Sequence, residues 1–81
     1  MTRQEIEEQI LNIVSEVMGT QKDKLALSTS FKDLGADSLT ILDIMMKCED
    51  TFQITISDEE TENIKNIGNA VNYIHTHIAK K

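Results

Sequence analysis

The sequence predicts an all-α protein: a small four-helix bundle with three main helices, a short additional helix in third position and a long first loop. Apolar residues recur at helical spacing in three segments of the 81-residue chain. The chain has no proline and only three glycines, which favours helices joined by loops over a strand-rich sandwich. With two phenylalanines, one tyrosine and no tryptophan, its core must be largely aliphatic. We expect residues 1–81 to form a single domain.

The first helix is predicted over residues 2–18. Thr2 and Glu5 have the spacing of a capping box, and Gly19 can end the helix. One apolar stripe runs along it and contains Ile6, Ile10, Ile13, Val14 and Val17. Residues 20–37 form a long connection, which is uncommon in so short a domain and often functional. We expect its apolar residues to anchor it over the bundle, namely Leu25, Leu27, Phe31 and Leu34.

The second helix is predicted over residues 38–51 and carries two apolar stripes. The stripe that we expect to face the core contains Ile41, Met45, Cys48 and Phe52. The neighbouring stripe contains Leu39, Leu42 and Met46. This second stripe is either further core or an exposed docking ridge for a protein partner, in which methionine is an adaptable contact.

Two further helices follow an extended loop, residues 53–57, in which we expect buried isoleucines. Ser57 and Glu60 have capping-box spacing and open a short third helix that ends near residue 63. The last helix is predicted over residues 67–79, with an apolar face of Ile67, Ala70, Val71, Ile74 and Ile78. His75 and His77 would point in different directions on this helix, so we expect no metal site there.

Negative charge is concentrated in the middle of the chain. Residues 37–62 carry eight acidic side chains against Lys47 alone, for a charge of −7, whereas residues 1–36 carry −2 and residues 63–81 carry +3. Nucleic-acid binding is disfavoured, because a phosphate-binding face should be basic. The middle third is instead suited to basic protein surfaces, although a solubilising acidic face is the simpler explanation of such a charge run.

The cellular setting is indicated by three features. No apolar run approaches the roughly 20 residues that span a bilayer, so we expect no membrane insertion. The N-terminal residues lack the apolar stretch of a signal peptide. Cys48 is the only cysteine, which excludes an internal disulfide framework and indicates a small buried residue. Together these features predict a cytoplasmic protein.

The most informative stretch is residues 33–39, Asp-Leu-Gly-Ala-Asp-Ser-Leu, which ends the long connection and opens the second helix. Gly35 permits a sharp turn, because a residue without Cβ can adopt positive φ at little cost. Asp37 and Ser38 are both common N-cap residues, and an Asp-Ser pair before a helix usually serves only as a cap. A phosphate attached to Ser38 would nevertheless lie at a helix N-terminus, where N–H groups and the helix dipole favour it.

This stretch, the helix after it, the acidic Asp58-Glu59-Glu60 segment and the last helix together resemble the acyl carrier protein family over essentially the whole chain. The resemblance implies that Ser38 carries covalent 4'-phosphopantetheine from coenzyme A, whose thiol holds acyl intermediates as thioesters for fatty-acid or polyketide biosynthesis. It also implies that Asp37 and Leu39 complete the motif that a phosphopantetheinyl transferase reads. The fold it implies is a carrier-protein bundle of the kind predicted above, acting as a monomer.

The resemblance further implies that the second and third helices contact partner enzymes. These partners are the transferase, acyltransferases, ketosynthases and other acyl-processing enzymes with basic surfaces. The residues carried over as partner contacts are Leu42, Asp43, Met46, Glu49, Asp50, Glu59 and Glu62. No histidine or oxyanion-hole motif accompanies Ser38, so we expect a carrier without catalytic residues or metal, not an enzyme.

The sequence departs from many fatty-acid carriers at three positions. Phe31 is one residue closer to Leu34, a spacing common in polyketide-type carriers, Thr40 replaces an acidic residue, and Lys47 interrupts the acidic second helix. The choice between fatty-acid and polyketide synthesis therefore stays open. Two alternatives also remain: an aminoacyl or D-alanyl carrier, and an unmodified acidic helical adaptor in which Ser38 only caps the helix. Replacing Ser38 by alanine separates the adaptor from a carrier. An adaptor should lose at most about 1 kcal/mol of stability and keep its function, whereas a carrier should lose all activity.

Overall fold

Four α-helices and one short 3-10 turn make up the regular structure in the computed structural model, which describes residues 2–79. The helices are α1 (Arg3–Met18), α2 (Ser38–Phe52), α3 (Asp58–Asn63) and α4 (Ile67–Ala79), and the 3-10 turn is Lys22–Lys24. The predicted all-α class, the order of the helices and the long first loop are confirmed. The sequence pattern did not predict the 3-10 turn. Lys80 and Lys81, which contribute to the charge of +3 over residues 63–81, lie outside the described residues.

Helix α1 packs against both α2 and α4, and the three helices share one core. The buried core residues are Ile6, Ile10, Ile13, Val14, Leu25, Phe31, Ile44, Met45, Cys48, Phe52, Ile56, Ile64, Ile67, Ala70, Val71 and Ile74. The predicted core face of α2 was incomplete, because Ile44 is fully buried while Ile41 is only half-buried. Ile44 continues the helical spacing from Ile41 and packs with the same face.

A capping box and a glycine in the left-handed conformation determine where α1 begins and ends. Thr2 and Glu5 form the predicted capping box, with backbone-to-side-chain hydrogen bonds of 3.0 and 3.2 Å. The backbone N–H of Thr2 donates to the Glu5 carboxylate and is the largest cause of the lowered pKa of that carboxyl, to which the Thr2 hydroxyl adds. Gly19 ends α1 in the left-handed conformation, at φ +66°.

Backbone hydrogen bonds join the long first loop to the segment between α3 and α4 and to the first turn of α4. The backbone N–H of Phe31 donates to the Lys65 carbonyl at 3.1 Å, and the N–H of Gly68 donates to the Leu27 carbonyl at 2.7 Å. Phe31 is 1% exposed, and Leu25 is also buried, whereas Leu27 and Leu34 are half-buried. The predicted anchoring of the loop is therefore confirmed, and its backbone pairing with the α3–α4 segment is an addition that apolar spacing did not indicate.

Gly68 lies where the loop crosses the start of α4 at close range. A Cβ at this position would lie 3.0 Å from the Leu27 carbonyl oxygen, the same atom that accepts its hydrogen bond. We expect Gly68→Ala to lower the free energy of unfolding by about 1–2 kcal/mol, because overpacking outweighs the higher helix propensity of alanine. Urea denaturation measures this loss. Thr76→Ala, at an exposed position of α4, is the control and should not destabilise. A Gly68→Ala protein as stable as the wild type would show that the Leu27 carbonyl can accommodate a Cβ at position 68.

Candidate functional site

The end of the first loop turns sharply before α2. The backbone N–H groups of Leu34 and Ala36 both donate to the Phe31 carbonyl, at 3.1 and 3.0 Å. Gly35 lies within this turn at φ +82°, the positive value predicted for it. The Phe31 carbonyl thus holds the turn that leads into α2, and the buried Phe31 side chain anchors this residue in the core.

Asp37 is the N-cap of α2. Its Oδ1 atom accepts hydrogen bonds from both the backbone N–H and the Oγ1 hydroxyl of Thr40, each at 2.8 Å. These bonds, with the backbone contribution the larger, lower the pKa of the Asp37 carboxyl, which is therefore ionised at neutral pH. Thr40, the residue that replaces an acidic one, thus reinforces the cap.

Ser38 is the first residue of α2 and is exposed. Within residues 2–79, no group forms a hydrogen bond with its hydroxyl. The adaptor hypothesis, in which Ser38 caps the helix, is therefore wrong about the cap, because Asp37 performs that task. The Asp37 carboxylate also occupies the helix N-terminus, so the expected attraction of that terminus for a phosphate is reduced. The hydroxyl still fits a covalently attached group, since Ser38 is exposed.

An open groove of about 450 Å³ begins at Ser38 and runs between α2 and α3. Its apolar residues are Ile41 and Leu42 from α2 and Ile64 at the end of α3. The polar residues that line it are Asp58, Thr61, Glu62 and Lys65. Apolar side chains therefore lie within reach of a group carried on Ser38.

The second stripe of α2 is an exposed ridge and not additional core. Leu39 is 77% exposed, Met46 is 64% exposed and Leu42 is 37% exposed. Three large apolar side chains on one side of a helix in a small protein are typical of an interaction surface. We call Leu39, Leu42 and Met46 the α2 ridge.

Acidic residues surround the α2 ridge. Asp43 and Asp50 are exposed on α2, and Glu59 and Glu62 are exposed on α3. Glu49 differs, because it is half-buried and its Oε2 atom accepts the backbone N–H of Ile56 at 2.9 Å. This bond ties the loop after α2 back to the helix, so Glu49 has a structural role that its charge alone did not predict.

Other chemistry-bearing residues lie apart from this site. Cys48 is fully buried in the core. Across residues 2–79, no cluster of three or more histidine, cysteine or acidic side chains is arranged to hold a metal ion. Within the same range, no helix is both long enough and apolar enough to cross a membrane.

Burial raises the pKa of the Cys48 thiol to about 12, so almost none of it is thiolate at pH 8. We expect N-ethylmaleimide to leave the native apo-protein unlabelled for hours and to label it fully in 8 M urea, as followed by intact mass. The Ala26→Cys variant, at an exposed loop position, is the control and should be labelled once in the native state. Rapid native labelling of the wild type would contradict the closed core.

Two polar arrangements near the site were missed by the sequence analysis. Asn66 Oδ1 accepts the backbone N–H of Asn69 at 2.7 Å, and Asn69 Oδ1 accepts that of Lys65 at 3.1 Å. This reciprocal cap opens α4 and was recognisable from the three-residue spacing of the asparagines. The second arrangement joins Glu60 to Tyr73, which are far apart in sequence, so no local pattern indicated it.

Comparisons with known proteins agree with this geometry. Residues 8–74 match the family model described as the phosphopantetheine attachment site. The chain is 40% identical over 79 residues to an acyl carrier protein of Exiguobacterium sibiricum, covering 96% of this chain and 100% of that relative. It superposes on a solved acyl carrier protein structure from Enterococcus faecalis with a TM-score of 0.80 and 35% identity, covering 94% of this chain and 98% of the other. These relatives match the chain over nearly its whole length, and its helical bundle has an exposed serine at the start of α2. The chain therefore belongs to the acyl carrier protein family.

Proposed function

We propose that Ser38 is the residue to which 4'-phosphopantetheine is attached. The observation that carries this proposal is the exposed hydroxyl of Ser38, which is unbonded within residues 2–79 while Asp37 caps the helix. Asp37 and the exposed Leu39 flank it and are proposed as the residues that the phosphopantetheinyl transferase reads. When bound, the group supplies a thiol that holds an acyl chain as a thioester.

The protein's own contribution is to present Ser38, not to catalyse. We propose that the chain is a non-catalytic substrate of the transferase, which supplies the metal and takes the group from coenzyme A. The test is the intact mass of the apo-protein before and after incubation with coenzyme A, magnesium and a broad-specificity transferase. A gain of one phosphopantetheine is expected. An unchanged mass, on protein shown to be apo at the start, would favour either a dedicated transferase or the unmodified adaptor.

The α2–α3 groove is proposed as a shelter for the acyl chain. It begins at Ser38 and offers the apolar side chains of Ile41, Leu42 and Ile64. The alternative is that the core opens around Met45 and Cys48 to admit the acyl chain. Both are buried in the closed core and neither lines the groove, so sheltering in the groove needs no opening of the core. Equal protection of short and long acyl thioesters from hydroxylamine would contradict sheltering in the groove.

The α2 ridge and its acidic surroundings are proposed as the docking surface for partner enzymes. Leu42 and Met46 supply apolar contact, and Asp43, Asp50, Glu59 and Glu62 supply negative charge. Glu49 contributes through the carboxylate oxygen that does not hold Ile56. The expected partners are the transferase, acyltransferases, ketosynthases and other acyl-processing enzymes with basic surfaces, because opposite charges accelerate encounter.

Reversing two of these charges tests the docking surface. We expect Asp43→Lys with Asp50→Lys to lower the kcat/KM of the transferase about 10-fold or more in low salt, and less in 0.5 M salt. Glu16→Lys with Asp23→Lys changes the net charge equally at exposed positions outside α2 and α3, and should have a small effect. Equal losses for the two double variants would show that only net charge matters.

The similarity to bacterial acyl carrier proteins favours fatty-acid biosynthesis as the pathway. Polyketide biosynthesis is the second candidate, because Phe31 and Leu34 have the spacing common in polyketide-type carriers. We further propose a cytoplasmic monomer with one domain over residues 1–81. The single core shared by α1, α2 and α4 supports one domain, and the lone buried cysteine is consistent with the cytoplasm.

A further inference from the structure

Helix α3 forms one wall of the groove beside Ser38 and depends on neighbouring elements for its stability. It contains only six residues, Asp58–Asn63, and so short a helix is not stable without tertiary contacts. Thr61 and Ile64 are buried on its inner side and also line the groove. The position of α3, and with it the width of the groove, must therefore depend on its attachments to neighbouring helices.

One attachment replaces a contact that the sequence predicted within α3 itself. Ser57 accepts the backbone N–H of Glu60 at 3.2 Å, which is one half of the expected capping box. The other half is absent: the Glu60 carboxylate accepts a hydrogen bond from the Tyr73 hydroxyl of α4 instead. A side chain that would otherwise stabilise the helix locally thus ties α3 to α4.

The tyrosine is itself held by its own helix. Its ring stacks on the ring of His77, one turn later, with centroids 4.0 Å apart and planes at 26°. The Nδ1 atom of His77 lies 3.0 Å from the Tyr73 carbonyl oxygen, which fixes the imidazole against α4. Tyr73 therefore offers its hydroxyl from a braced position, on a helix whose inner face is in the core.

We propose that Tyr73 is a positioning residue that holds α3 through Glu60 and thereby sets the width of the groove beside Ser38. Glu60 leaves α3 toward α4, while Thr61, Glu62 and Ile64 form the groove wall facing α2. Loss of the Tyr73–Glu60 hydrogen bond frees this wall and leaves the core of α1, α2 and α4 intact. The consequence for cargo rests on the proposed sheltering function, whereas the positioning of α3 does not.

The test is amide hydrogen exchange of the apo-protein, read residue by residue by NMR. Tyr73→Phe removes only the hydroxyl. We expect the amides of Thr61 and Ile64, which close α3 through bonds of 2.9 and 3.1 Å, to exchange about 5-fold faster or more. Core amides of α1, such as Ile10 and Val14, should change less than 2-fold. Uniform acceleration in all helices, or no change in α3, would overturn the proposal.

Substitutions of Glu60, the hydrogen-bond partner of Tyr73, complete the test. Glu60→Ala should reproduce the effect of Tyr73→Phe, and the double variant should add nothing further, since both remove one hydrogen bond. Glu60→Gln keeps an acceptor and should recover most of the protection. Glu59→Ala removes the neighbouring exposed charge without removing the contact with Tyr73, and should accelerate α3 exchange less than Glu60→Ala does. Additive effects of Tyr73→Phe and Glu60→Ala would overturn the assigned partnership.

The effect on cargo is measured separately. Octanoyl protein, loaded at Ser38, is treated with hydroxylamine, and thioester cleavage is expected to be faster in Tyr73→Phe than in the wild type. Faster α3 exchange with unchanged cleavage would support the positioning role and overturn the sheltering of cargo in the groove. Unchanged α3 exchange would overturn the positioning role whatever the cleavage rate.

Discussion

Replacing Ser38 by alanine is expected to abolish phosphopantetheine loading completely and to change the free energy of unfolding by no more than about 0.5 kcal/mol. The first effect follows from loss of the only proposed attachment hydroxyl. The second follows from the structure: Ser38 is exposed, and Asp37 supplies the cap through Thr40. Loading is measured by intact mass, and stability by urea denaturation on the same samples.

Two variants serve as controls for this prediction. Ser57→Ala removes a hydroxyl that does cap a helix, so it should destabilise α3 and still be loaded. Asp37→Asn keeps an N-cap residue and removes the charge, so it should remain folded and report how far the transferase reads the carboxylate. A loaded Ser38→Ala protein would show that the group is attached elsewhere.

Phe31→Ala is expected to be the most destabilising single change near the site, at about 3–5 kcal/mol in the free energy of unfolding. The side chain is 1% exposed, and its backbone carbonyl accepts the N–H groups that form the turn before Ser38. Small domains have about 5–15 kcal/mol in total, so the variant should be close to unfolding. Urea denaturation at 25 °C measures the loss.

We attribute this loss of stability to the volume of the Phe31 side chain and to its burial. Two further variants test these two causes separately. Phe31→Leu retains most of the buried volume and should cost less than about 1.5 kcal/mol. Leu39→Ala removes a large apolar side chain that is 77% exposed and should change stability by about 0.5 kcal/mol or less. A loss below 1 kcal/mol for Phe31→Ala would mean that the loop is not anchored as described.

The fold was largely predictable because its signals are local. The capping box of Thr2 and Glu5, the turn at Gly35 and the apolar stripe of α1 are set by neighbours in sequence, and all three are found. The backbone pairing of Phe31 with Lys65 was not predictable, since hydrogen bonds between distant loop segments leave no periodic pattern. Ile44 lies outside the predicted stripe and is nevertheless buried, because α2 has neighbours on two sides and buries a wider face than one stripe.

The position of the candidate site was predictable from the sequence, but which of its residues caps α2 was not. Asp37 and Ser38 are both N-cap residues, so composition could not decide which of them caps α2. Only the geometry shows that Thr40 bonds to Asp37. Similarly, capping-box spacing directed Glu60 back to Ser57, whereas a tyrosine from α4 takes its carboxylate. At Glu60 a tertiary contact overrides a local preference, whereas at Asp37 one of two equivalent local preferences prevails.

The most direct measurement is the location of the attached group in the loaded protein. Trypsin releases residues 33–47, a peptide in which Ser38 and Thr40 are the only hydroxyl side chains. Fragmentation of this peptide by tandem mass spectrometry is expected to place one phosphopantetheine on Ser38. A modified Thr40, or a modified peptide elsewhere in the chain, would contradict the assignment of Ser38 as the attachment site.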